Sequence, residues 1–412
     1  MATSYVAFLS VDGKSVAGAS QFSGSETISD IPEYQIILPD VEGTLTSYLG
    51  KSAKIVLPQR DSGVTSRSYE GIITDAELTK DTGNAFSERQ VATFVIRPFL
   101  ALLGYSSASC IYQKKSSVDI FKEVLERNGL QRAKLKVSAT PPKRDTCIQY
   151  NENDLAFVQR ILAEDGIVFY FHDGSDGSTM VIHDTAKQYP ANTSGEVEMT
   201  DPSAPDANLF QAHGLSFGRQ VVAGKVSLTS YDMDKAAQAV GGPLTSAETS
   251  MTGKPNITEY RAAWGAAVQS ATPTFARQIK GAETRLTGNT DHPELYLGQG
   301  MKLAKVSDVA MKGSYVISGI EFSTQAGLIK THFRAAPIAD PYLPPYLPKP
   351  TIAGVHNALV IGGDDGTPVC DAEGRVKVKF FWDMSTAKTD TTGWIRVAEA
   401  YAGKGYGPGT GV

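Results

Sequence analysis

At 412 residues the chain is longer than one ordinary hydrophobic core supports, and length alone predicts two to three domains. Hydrophobic residues at 41% and charged residues at 20% fit a folded globular chain, and a net charge of −5 excludes a general basic field for nucleic acid or acidic membrane. Three widely separated cysteines (Cys110, Cys147 and Cys370) exclude a disulfide framework and fit a reducing compartment.

Residues 1–13 lack the charged and apolar regions of a signal peptide, so a cytoplasmic origin without a cleaved leader is expected. Apolar runs such as 99–105 and 166–171 are too short to span a bilayer. The first hundred residues predict strands at 5–11, 34–38, 53–57, 68–74 and 91–97, with a glycine break at Gly71 that suggests a bulge. Two helices follow. Residues 116–128 carry Val118, Phe121, Val124 and Leu125 on one stripe, with Ser116 and Asp119 as a capping pair. Residues 153–165 carry Leu155, Val158, Ile161 and Leu162 on one face and stop at Gly166. A hairpin of strands at 167–172 and 180–183 turns across 173–178, and the second helix is expected to pack on it.

Between 186 and 273 the pattern weakens: a polar loop at 189–207, a strand at 226–231, and a Gly/Ser/Thr/Pro-rich excursion at 238–257. A third helix is expected to start after Thr272-Pro273 and run to about Leu286, followed by strands at 298–305, 314–322 and 330–335. From Pro337 to Pro350 six of fourteen residues are proline, which predicts a stiff extended connector. Beyond it come strands at 356–362, 375–382 and 394–398 with turns at 364–366 and 371–374, the pattern of a small OB-type barrel.

Catalytic patterns are weak throughout. Gly50-Lys51-Ser52 resembles the end of a P-loop, but Leu45 stands where its first glycine belongs. His172 and His183 are expected to face one another across the hairpin, with no cysteine near. Asp364, Asp365, Asp371 and Glu373 are acidic without calcium-loop spacing. No serine sits in a G-x-S-x-G elbow, and Glu164-Asp165 is an adjacent pair at a helix end that shares no face. In 375–380 one face carries Arg375, Lys377 and Lys379, and the other carries Val376, Val378 and Phe380. An OB barrel with such a strand could bind single-stranded nucleic acid. From His356 onward, however, six Lys/Arg stand against seven Asp/Glu, so no basic groove and no nucleic-acid partner are expected.

Two segments carry a resemblance. The first is Cys147, Gln149, Tyr150, Glu152, Asp154, then Phe157 and Arg160, then Glu164, Gly166 and Ile167. The second is Gly374-Arg375-Val376, Val378, Phe380, Trp382-Asp383, then Trp394, Arg396-Val397-Ala398, and the glycine-rich stretch 401–407. Together they resemble the VgrG family, the spike protein of bacterial type VI secretion systems. Arg97-Pro98 and Tyr112-Gln113 sit where that family has comparable elements.

The resemblance implies a mainly β fold with a few helices (α+β). Phage-baseplate-hub-like barrels would occupy residues 1–340, a Pro-rich linker 341–352, and an OB-fold module 353–412 that lacks its last strands. It implies a homotrimer whose hub seats on a hexameric tube protein. A PAAR-type tip protein and effectors would be carried by regions beyond residue 412. The protein would leave the cytoplasm through the secretion machine and meet membrane only by puncture. Neither cofactor nor metal nor catalysis is implied. A hub of a phage-tail-like contractile particle and, from another class, an envelope-degrading spike enzyme are the alternatives. The expected structural residues are Tyr150, Leu155, Phe157, Val158 and Ile161 between helix and hairpin, and Val376, Val378, Phe380 and Trp394 in the barrel core.

Overall fold

Seven strands come first: β1 (Ala7–Val11), β2 (Lys14–Ala19), β3 (Gln21–Thr27), β4 (Glu33–Pro39), β5 (Ser52–Val56), β6 (Ser68–Asp81) and β7 (Arg89–Arg97), with period-two alternation clearest in β1, β4, β5 and β7. In β4, Tyr34, Ile36 and Leu38 are buried while Glu33 and Gln35 face out, and in β7 Ala92, Phe94 and Ile96 are buried in the same way. The computed structural model describes residues 6–39, 41, 44–57, 68–81, 89–130, 134–174, 177–184, 197–201, 209–230, 256–260, 268–290, 292, 295–325, 328–363, 366–385 and 392–398. Most of the expected loops at 189–207 and 238–257, parts of the turns at 173–178 and 364–366, and the stretch 401–407 lie outside the described residues.

Next come β8 (Ser107–Lys115), α1 (Ser117–Arg127), β9 (Leu135–Val137), β10 (Arg144–Asn153), α2 (Asp154–Glu164), and the hairpin β11 (Ile167–Gly174) and β12 (Gly177–Asp184). The remaining elements are β13 (Val197–Thr200), β14 (Phe210–Arg219), β15 (Lys225–Thr229), β16 (Asn256–Tyr260), α3 (Val268–Gly281), β17 (Thr284–Thr290), β18 (Gly300–Lys305), β19 (Gly313–Gln325), β20 (Leu328–Pro337), β21 (Ala358–Val360) and β22 (Val378–Phe380). The Ser116–Asp119 capping box closes α1 reciprocally, as its sequence predicts. The third helix differs from expectation. It begins at Val268, carries Pro273 inside, and gives way to a strand at Thr284. Pro273 is the sixth residue of the helix and has no N–H to donate, so the helix forgoes one backbone hydrogen bond there.

The chain divides into two compact units. The first is Met1–Leu102 with Leu130–Ala139 and Gln159–Leu347; the second is Leu103–Gly129 with Thr140–Val158 and Pro348–Val412. The first break after the barrel body falls inside the expected 341–352 linker. The second unit, however, also takes 103–129 and 140–158, which the sequence reading placed in the 1–340 body.

In the first unit β18-β13-β14-β17-β20-β19 form a six-stranded barrel, closed by β18 pairing with β19. It is mixed, because β13 runs parallel to both of its neighbours. Met199, Leu286, Met301, Leu303, Ile317 and Phe333 are buried members of the core on these strands. Antiparallel pairing of β19 with β3 continues the sheet into β3-β4-β7-β6-β5-β1-β2. There β2 runs on through Ser20, whose N–H donates to Ile37 O of β4 at 2.9 Å. The bulge in β6 lies between Ile73 and Asp75 rather than at Gly71. Gly71 is needed for another reason: a Cβ there would sit 2.4 Å from Arg97 O.

Candidate functional site

The second unit brings the two resemblance-bearing segments together on one strand ribbon. β8 and β10 pair antiparallel from Arg144↔Lys115 to Asn153↔Ser107, with an irregularity between Gln149 and Glu152. At that bulge Asn151 takes a φ of +47°, a left-handed conformation that asparagine tolerates, and its N–H donates to Ser109 Oγ at 3.1 Å. The bulge delivers the chain into α2, where the Asn153 side chain accepts from Ala156 N–H at 2.7 Å and Asp154 opens the helix.

Asp154 is the centre of a buried polar cluster, its side chain only 1% exposed. Its carboxylate accepts from Arg127 Nη2 (2.6 Å), Gln149 Nε2 (2.6 Å), Asn128 Nδ2 (2.7 Å) and Ser106 Oγ (2.8 Å). The same Arg127 donates to Tyr112 Oη at 2.9 Å and to Cys110 Sγ at 3.3 Å. Burial by itself would raise the Asp154 carboxyl. The donors from Gln149, Asn128, Arg127 and Ser106 outweigh it and hold the group below the ordinary carboxylate value. Burial dominates at Tyr112 and Cys110 and pushes both up, so neither ionises at neutral pH. The cluster ties the end of α1, the start of α2 and the bulge of β10 into one corner.

Asp383 is another buried carboxylate of this unit, with a side chain of zero exposure. Oδ1 accepts from Ile111 N–H of β8 at 3.2 Å and from Ser385 N–H at 3.0 Å. Oδ2 accepts from Ser385 Oγ at 2.8 Å and Lys379 Nζ at 3.1 Å. Beside it, Met384 N–H donates to Ser109 O at 2.9 Å. The Tyr150 ring meets Trp382 edge-on at 5.2 Å and His356 at 6.0 Å, and Trp382 stacks on Phe380 at 4.9 Å. The Gln149–Asp154 segment and the Phe380–Asp383 segment are therefore two sides of one joint.

Among the residues expected to be structural, Phe157, Val158 and Ile161 are fully buried, and Phe157 stacks on Tyr112 at 5.6 Å. Tyr150 and Leu155 are half-buried. Val378 is buried, whereas Val376 and Phe380 are half-buried. Trp394 departs from expectation: it is 37% exposed, and Lys377 Nζ lies 5.2 Å from its ring centroid. Among the described residues only the single bridge Val376↔Ile395 holds that segment, too little pairing to enforce a strand face. β22 is likewise shorter than the expected 375–382 strand.

The basic face of that strand is consumed locally: Arg375 pairs with Asp371 and Glu373, Lys379 with Asp383, and Lys377 covers Trp394. Asp371 and Glu373 are thereby ion-pair partners, and among the described residues no group of three or more His, Cys, Asp or Glu side chains could hold a metal. His172 and His183 do not face one another. In the hairpin register His172 opposes Thr179 and His183 opposes Val168; His183 Nδ1 lies 3.1 Å from Ser138 Oγ. Lys51 of the apparent P-loop fragment pairs with Asp12. Sequence reasoning gave no role to Arg127, Asp154 or Asp383. Asp154 and Asp383 stand in motifs that carry other charged residues, and Arg127 stands in neither, so no local signal singles the three out.

The phage tail baseplate hub (GPD) family matches residues 25–328. Among curated relatives, the type VI secretion system spike protein VgrG5 of Pseudomonas aeruginosa is 28% identical over 345 residues, covering 76% of this chain and 43% of the relative. VgrG1b of the same organism, also named a type VI spike protein, is 27% identical over 400 residues, covering 91% of this chain and 52% of the relative. The chain spans about half the length of these relatives. Among solved structures, the E. coli c3393 protein superposes with a TM-score of 0.65 at 19% identity, over 90% of this chain and 88% of that one. It is described as a type VI secretion component similar in structure to the T4 bacteriophage tail proteins gp27 and gp5, and the likeness shows the fold. Among the described residues no helix is long and apolar enough to cross a membrane.

Proposed function

We propose, from the premise that the chain belongs to the phage tail baseplate hub (GPD) family, that it forms the hub and neck of a type VI secretion spike. The observation that carries this reading is the hub-family match, which spans nearly all of the barrel-bearing unit. In this reading three copies assemble and the barrels seat on a hexameric tube protein. Unit two forms the neck. The protein is made in the cytoplasm, leaves through the machine, and meets a target membrane only by puncture. A PAAR-type tip protein and effectors engage parts of the whole protein outside these 412 residues, consistent with relatives about twice as long.

The role of this part is mechanical rather than catalytic. The buried carboxylates of Asp154 and Asp383 are each held by several hydrogen bonds, which suits rigidity. Light scattering on the whole protein and co-elution of residues 1–412 with the tube protein test the reading. A trimer that binds the tube ring is the expected result; a monomer that leaves the tube protein unbound overturns it.

A further inference from the structure

The C-terminal module has almost no apolar interior of its own. Val378 is its one buried hydrophobic side chain among the described residues, while Val355, Leu359, Phe381 and Met384 are exposed. β21 and β22 pair over three rungs only. Burial on this scale cannot fix a segment in one orientation. Asp383 supplies what burial does not.

The partners of Asp383 separate into local and distant ones. The bonds from Ser385 and Lys379 are local and would form in an isolated turn. The bond from Ile111 N–H spans 272 residues, and it sits beside the Met384 N–H to Ser109 O bond on the same edge of β8. Ile111 N–H points away from β10, where a third strand would normally accept it. The Asp383 carboxylate stands in for that strand's carbonyl, and its charge strengthens the bond. Lys379 balances the charge. One side-chain bond and one main-chain bond two residues apart on β8 set the register of docking, and the Tyr150–Trp382 contact fixes its depth.

We infer that Asp383 is the positioning residue that seats the C-terminal module on the β8–β10 ribbon in a single orientation. The Pro-rich connector alone does not set that orientation. The mechanical meaning of the seat, a neck held rigid against thrust, rests on the hub-and-neck reading; the seat itself does not.

Spin labels at Lys122 on α1 and at Val355 in the module, both exposed, report the docking by their distance distribution in residues 1–412. The native chain gives one narrow distribution. Asp383→Ala broadens it and raises amide exchange at Ile111 at least about tenfold. Asp383→Asn keeps the volume and an acceptor oxygen, so it moves both readouts in the same direction by less. Asp371→Ala removes the module's internal Arg375 ion pair and the local bonds from Glu373 and Arg375 N–H, all within the module, and changes neither. If Asp383→Ala keeps the narrow distribution and the Ile111 protection, the inference is overturned, whether or not the chain binds the tube protein. If Asp383→Ala broadens the distribution and the native chain fails to bind the tube protein, the seat stands and the hub reading falls.

Discussion

The two units are held by different physics. In the first, strand after strand contributes alternate residues to one large apolar core, from Leu9 and Phe22 through Phe94 to Phe333 and Leu343. In the second, the buried carboxylate of Asp154 ties the ribbon to its helices, that of Asp383 ties the C-terminal module to the ribbon, and large hydrophobic side chains of the module stay in water. Burial in an apolar core is non-directional. A carboxylate with four directed donors accepts one geometry. The first design suits a thick-walled barrel body, and the second suits a joint whose orientation matters.

The largest expected effects probe the two designs directly. Phe333→Ala, at a fully buried position on barrel strand β20, should destabilise the first unit by about 3–5 kcal/mol in chemical denaturation. Asp154→Ala should also be damaging in the second unit, about 1–3 kcal/mol, although it removes no apolar surface. It removes the shared acceptor of Arg127, Gln149, Asn128 and Ser106, each of which keeps another partner. An Asp154→Ala variant as stable as the native chain would mean that the second unit is held by burial after all.

Acid should separate the units in sequence. His292 is buried against Phe210, ring centroids 3.7 Å apart, and burial pushes its pKa down to about 4 from 6.5. Below pH 6.5 the unfolded chain takes up a proton that the folded imidazole refuses. This contribution is therefore whole above pH 6.5 and declines as pH falls toward 4, by about 3 kcal/mol in total. The Asp154 carboxylate has a depressed pKa, so its contribution is present above the unfolded value of 3.8 and is lost only as pH falls through the lower folded value. Denaturation followed from pH 7 to pH 3 should show the first unit weakening ahead of the second. His292→Gln should flatten the slope between pH 6.5 and 4; an unchanged slope would place the titrating group elsewhere.

Legibility in the sequence follows the same divide. Alternation in 34–38 and 91–97, the helical stripe of 116–128 with its capping box, and the glycine stop at Gly166 (φ +70°) were readable because each is a local pattern. Closure of the barrel by β18 on β19, and the parallel insertion of β13, were not, since no local pattern specifies which distant strand completes a ladder. The hydrophobic members of the site were legible in part: Phe157, Val158 and Ile161 are buried as a helical face requires. Arg127, Asp154 and Asp383 were passed over because a charged residue read in isolation belongs on the surface. Only the fold shows that Arg127 meets Asp154 from 27 positions away and that Asp383 reaches β8 across 272.

Trp394 offers the smallest and most pointed test of the contrast. A tryptophan closing a barrel core would lose about 3–5 kcal/mol on replacement by alanine. Here its ring is partly in water and is covered on one face by the Lys377 ammonium, an arrangement worth about 0.5–1 kcal/mol at an exposed site. Trp394→Ala should therefore destabilise the chain by no more than about 1 kcal/mol, and Lys377→Met should have an effect of similar size that is not additive with it. Double-mutant denaturation measures both. A loss of several kcal/mol for Trp394→Ala alone would return the residue to a core and make the module a self-sufficient barrel, removing the reason for a polar joint.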